Sequence, residues 1–169
     1  MASIHERIVN VLRDTATIVN PEGRFIYGRE VHNTLDYPNM SLASSAEDKA
    51  LISLLPFTIT KTNNPDNNYD SAAISMVFSR SADVQDNAAK EEAILNEMAA
   101  LAETYIYLLI EASKPITYSL SDVQMQAEYQ VWMGTASGYV VTFTFSIKQE
   151  CELPTIQGLQ TTLQSLLQS

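Results

Sequence analysis

Cysteine is almost missing from this 169-residue chain: Cys151 is the single thiol, so no intrachain disulfide can close, and a disulfide-stapled secreted module is excluded. Glycine is scarce as well. Five residues leave no Gly-rich turn opening a helix, and Gly134 to Gly138 sits between two strand-like runs, so a phosphate cradle has no support. Histidine occurs twice, as His5 and His32, and neither has a second ligand type at a zinc-binding spacing. Positive charge is short: ten Lys and Arg stand against twenty Asp and Glu, a net charge of -10. This is the reverse of a nucleic-acid reader's footprint. Uncharged apolar runs of the roughly 18 residues that span a bilayer are not evident, and charges interrupt the first twenty residues. The expectation is a soluble acidic protein with no export signal and no membrane partner. A chain of this length fits one domain and buries roughly 70% of its unfolded surface. Its 46% hydrophobic content supplies a core without staples.

What is present is periodicity that changes along the chain. Ser3 followed by Glu6 forms a capping-box pattern, and Ile4, Ile8, Val11 and Leu12 follow at helical spacing, until Asn20-Pro21-Glu22-Gly23 stops the run. A helix is expected over Ile4 to about Ile18. Arg24 to Val31 reads as a strand with Gly28 as a bulge, and His32 to Lys49 as a surface loop. Leu51 to Thr60 has strand composition, and Pro56 demands an edge or a bulge because it has no N–H to donate. The turn-rich run Asn63, Asn64, Pro65, Asp66, Asn67, Asn68 separates it from a strand over Tyr69 to Ser79, making a hairpin.

From about Asp86 the apolar residues recur as a helix: Ile94, Met98, Leu101, Tyr105, Leu108 and Ala112 form one stripe, with Lys114-Pro115 as the stop. Val123, Met125, Ala127, Tyr129 and Val131 then alternate with polar residues, as do Val141, Phe143, Phe145 and Ile147 after the glycine-bounded loop. A period of two with one wet face requires an antiparallel pair. The expected fold class is α+β, an antiparallel sheet packed against one long and one N-terminal helix. It occupies residues 1–153, and 154–169 form an amphipathic tail carrying Leu159 and Leu163, marginal as an isolated helix.

Three kinds of chemistry are conceivable on these residues. Cys151 with His32, or the carboxylates Glu91, Glu92, Glu97 and Glu103, would be needed for a hydrolase, but nothing local makes Cys151 a nucleophile, and four carboxylates on one helix read as a solvated face. Tyr129, Trp132 and Tyr139 would make a stacking platform for a small carbohydrate- or ligand-binding module. Trp132 falls out of phase with the apolar alternation, so it faces the wet side, where a partner subunit would cover it.

The order of elements resembles the tail-terminator and tail-completion proteins of tailed bacteriophages. A local likeness is carried by Gly138-Tyr139-Val140-Val141-Thr142-Phe143-Thr144-Phe145 with the trailing Cys151, and by Leu55-Pro56-Phe57-Thr58-Ile59-Thr60-Lys61-Thr62. Both stretches are similar to segments in virion proteins of phages of Bacteroides and their relatives, including crAss-like phages. The resemblance implies a non-enzymatic virion structural protein without cofactor or metal. Such a subunit would form a six- or twelve-fold homo-oligomeric ring in the neck or tail, as a head-tail connector or tail terminator touching portal or other neck and tail proteins. DNA would pass nearby without sequence-specific binding. On this expectation the subunit interface draws on Pro56, Phe57, Asn63, Asn64, Pro65, Asp66, Asn67, Asn68, Trp132, Leu159 and Leu163. Glu91, Glu92, Glu97 and Glu103 would line an acidic lumen that repels phosphate.

Overall fold

The structure is a computed structural model and describes residues 3–28, 49–62, 69–81, 88–113, 118–130, 136–148 and 153–168. In chain order its elements are α1 (Ile4–Val19), β1 (Arg24–Tyr27), β2 (Ala50–Leu54), β3 (Ile59–Lys61), β4 (Tyr69–Ser81), α2 (Ala88–Ala112), β5 (Tyr118–Gln130), β6 (Ala136–Lys148) and α3 (Ile156–Leu167). The expected α+β architecture is what the chain adopts. Six strands make one sheet in the order β1-β2-β4-β6-β5, with β3 paired to β4 beside β2. Only β1 with β2 is parallel; the other described pairings are antiparallel.

The two long central strands set the frame. β4 and β6 pair without a break from Tyr69 opposite Lys148 to Ser81 opposite Ala136. Alternate residues, Ala72, Ile74, Met76 and Phe78 on β4 and Val141, Phe143, Phe145 and Ile147 on β6, face one core together with Ile8, Leu12, Met98, Tyr105 and Leu109 from the helices. Gly138 has the Phe78 and Ser79 backbone against its Cα. A Cβ there would sit 1.9 Å from the Phe78 carbonyl oxygen, so Gly138→Ala must push the strands apart. We expect it to lower stability by about 1–3 kcal/mol, read as a shifted urea midpoint.

α1 begins as its cap pattern requires: the Ser3 hydroxyl accepts from the Glu6 N–H at 3.2 Å. It buries Ile8, Val9, Val11, Leu12 and Ala16. α2 is long and apolar enough to cross a membrane by length and composition. Here it buries Ile94, Leu95, Met98, Ala102, Tyr105, Ile106, Leu108 and Leu109 within the domain, so that apolar character also serves the core. Two tyrosines lock the helices and sheet. The Tyr105 hydroxyl donates to the Leu12 carbonyl at 2.9 Å, and the Tyr118 hydroxyl to the Leu109 carbonyl at 2.6 Å.

Burial raises both phenols well above the ordinary tyrosine range, Tyr105 further through its neighbour Tyr118. The folded state therefore favours the protonated form. The stability this confers is complete below about pH 10, where unfolded tyrosine titrates, and is lost as pH climbs toward the folded values. We expect stability to fall by up to about 2.7 kcal/mol per pH unit above pH 10, two protons' worth. Circular dichroism and tyrosinate absorbance should change together, and a Tyr105→Phe/Tyr118→Phe variant should show a shallower fall.

Two strands bend where the residue types demand it. β2 pairs Leu54 with Met76, and β3 pairs Ile59 with Ala72, so four residues on one side, Leu55 to Thr58, face three on the other. Pro56 sits in that bulge, where no ladder bond is required of it. The run expected as one strand is thus two collinear pieces. β5 has a second bulge: its register steps between Ser121 and Gln124, and Asp122 takes φ 55, a left-handed conformation that Asp tolerates better than most residues. The step explains why the buried-side residues change from even (Tyr118, Leu120) to odd (Met125, Ala127). β5 begins at Tyr118, before the alternation that starts at Val123.

β1 spans Arg24–Tyr27, and Gly28 follows at φ 69; residues 29–31 of the expected strand lie outside the described residues. The loop expected from His32 and the hairpin tip Asn63 to Asn68 lie outside the described residues.

Candidate subunit interface

The interface expectations divide sharply once the side chains are placed. Leu159 is fully buried, and this corrects its assignment to a surface between subunits. α3 starts on Thr155, whose hydroxyl accepts from the Gly158 N–H at 3.3 Å, and packs on α1 and α2. Leu159 is therefore consumed within the protomer, with Leu163 and Leu166 half-buried against the same core, while Ile156 and Leu167 at the two ends of the helix stay exposed. The tail is an integral third helix.

Phe57 is half-buried and stacks on His5 with ring centroids 4.8 Å apart. His5 Nε2 lies 2.6 Å from the Tyr27 hydroxyl, and partial burial raises that phenol above its usual range. The three rings tie the start of α1 to the end of β1 and to the bulge after β2. Pro56 next door remains exposed. Asn63, Asn64, Pro65, Asp66, Asn67, Asn68 and Trp132 lie outside the described residues, as do His32 and Cys151. Of the aromatic platform, Tyr139 is half-buried on the helix-facing side against the core, which removes it from the wet face.

The four acidic candidates do not act as one wall. Ser137 donates its hydroxyl to a Glu91 carboxylate oxygen at 2.8 Å, and Arg80 pairs with Glu97, so these two carboxylates are tied to the sheet. Glu92 and Glu103 stay exposed. Their spacing of eleven residues places them on one helix face. Tyr107 and Ile110 share that stripe, exposed by 54% and 38%.

That stripe borders the feature the sequence reading passed over. β5 runs thirteen residues and pairs with β6 alone among the described strands, leaving its outer edge without a strand partner there. Monomeric proteins blunt such edges with Lys, Pro or shortness. β5 contains neither Lys nor Pro; a single bulge and the acids Asp122 and Glu128 are its only devices of that kind. Beside it Val123 is 38% exposed. Between strand and helix lies an open groove of about 460 Å³, lined by Glu103, Thr104, Ile106, Tyr107, Ile110 and Met125. A long edge with so little protection and an apolar shoulder is suited to pairing with another chain.

Among the described residues no three His, Cys, Asp or Glu side chains gather as metal ligands. Compared with known proteins, the chain matches no protein-family model and no curated protein.

Proposed function

We propose that the protein is a virion structural subunit that assembles into a ring in the neck or tail of a tailed bacteriophage, connecting the portal region to the tail. The observation that supports this reading most strongly is the long β5 edge, protected only by one bulge and two acids, with Tyr107, Ile110 and Val123 exposed along its flank. A subunit designed to remain alone would carry that edge at the risk of aggregation. A ring closes it, since heterologous contacts that repeat by rotation leave no edge unpaired. The arrangement of elements supports the phage assignment through its resemblance to tail-terminator and tail-completion proteins, and the net charge of -10 suits a subunit near passing DNA, which like charge keeps from sticking. Function here is shape and edge pairing, with no bond made or broken.

The reading is tested on particles purified from the phage whose genome encodes the chain. Quantitative mass spectrometry should find it at a fixed few copies per particle, and labelled antibody should mark the head-tail junction or tail. Absence from gradient-purified particles, or copy numbers of the hundreds typical of a capsid coat, would overturn it.

A further inference from the structure

We infer that the ring contact is head to tail, the β5 edge of one copy docking against the β3 edge of the next, with opposite charges guiding the match. This rests on the ring reading and specifies its two faces. The sheet has two unlike ends. At one, β5 pairs only with β6; at the other, β3 pairs only with β4 and β1 only with β2, among the described residues.

Their charges are opposed. Residues 101–113 and 118–130, the helix and strand of the β5 end, contain the acids Glu103, Glu111, Asp122 and Glu128 and no Lys or Arg. The one cation of β6, Lys148, stands beside the start of β5, away from Asp122 and Glu128. Over residues 3–28 and 49–62, which build the other end, Arg7, Arg13, Arg24, Lys49 and Lys61 outnumber Glu6, Asp14 and Glu22. Lys61 and Arg24 are exposed on the strands themselves, Lys61 in register with Asp70 of β4, and Arg13 of α1 lies over the Phe25 ring at 5.8 Å. Lys49 is partly offset by Glu22 at 4.0 Å.

A self-pairing of β5 with β5 about a two-fold axis would bring Asp122 and Glu128 of both copies together, and like charges across an interface select against that arrangement. It would also close as a dimer, because an isologous contact uses the same patch twice. Pairing β5 with the basic end joins acid to base and repeats by rotation.

The test places one thiol at each end on a Cys151→Ser background: Thr60→Cys on β3 and Gln126→Cys on β5, both exposed positions. With a short thiol-to-thiol cross-linker, the double variant should give a ladder of products ending at the ring number, and each single variant none. A dimer from Gln126→Cys alone would overturn the inference in favour of two-fold pairing. No ladder from a double variant that light scattering shows to be assembled would overturn it while leaving the ring reading intact, whereas a wild-type protein monomeric at every concentration would sink both. As a charge check, Glu128→Lys should weaken assembly about tenfold, and adding Lys61→Glu should restore it. Equal weakening by the double charge swap would contradict the pairing.

Discussion

Replacing Tyr107 with Glu should turn assembled protein into monomers while leaving the fold untouched. The ring is 54% exposed and lines the open groove beside β5, so its loss removes no core contact. Exposed substitutions of this kind change stability within about 0.5 kcal/mol. In an assembled interface the same residue is an aromatic anchor beside a paired strand, the type whose removal costs about 2 kcal/mol or more. Burying a carboxylate there adds a desolvation cost. We expect the dissociation constant to rise by at least about thirtyfold, measured by sedimentation velocity, with an unchanged far-ultraviolet spectrum and melting temperature. An assembly as tight as the wild type would move the interface away from α2 and β5.

Phe145→Ala should have the largest effect on the protomer itself. Phe145 is completely buried three residues before the end of β6, opposite Ala72 on one side and Leu120 on the other, and stacks on Tyr118 with centroids 4.8 Å apart. Removing the ring loses its transfer energy and leaves a cavity that two flanking strands cannot collapse, about 3–5 kcal/mol. That is a large share of the roughly 5–15 kcal/mol that holds a domain together. Chemical denaturation should show a midpoint shifted to much lower denaturant at an unchanged slope. A loss under about 1 kcal/mol would mean that the β4–β6 face is not the principal core.

The legible parts of this fold are those written in local period. β6 could be read residue by residue because Val141, Phe143, Phe145 and Ile147 each face the core and their neighbours do not. α1 and α2 were visible in their stripes and in Ser3, whose capping role depends on a residue three places away. Pro56 announced its bulge because the missing N–H is a property of the residue itself. By contrast, the parallel pairing of β1 with β2 and the His5, Tyr27 and Phe57 cluster join residues far apart in the chain, and no local pattern encodes such contacts.

The candidate interface was only partly legible for a related reason. Leu159 and Leu163 showed an amphipathic helix, but periodicity does not say whether its apolar side meets the same chain or another, and here it meets α1 and α2. Glu91 and Glu97 looked like free surface charge until the fold brought Ser137 and Arg80 to them. The β5 edge escaped because strand composition reveals the two faces of a strand and nothing of which strand ends a sheet. Its one hint was negative: thirteen residues of strand without Lys or Pro.

The central claim is that this sheet is completed by other copies of the chain. Light scattering coupled to size exclusion, run over a wide range of protein concentration, tests it most directly. A single species at six or twelve times the 18.8 kDa protomer mass, reached as concentration rises and lost in Tyr107→Glu, is the result expected. A protein that stays at the protomer mass at every concentration, with β5 unpaired, would contradict the account.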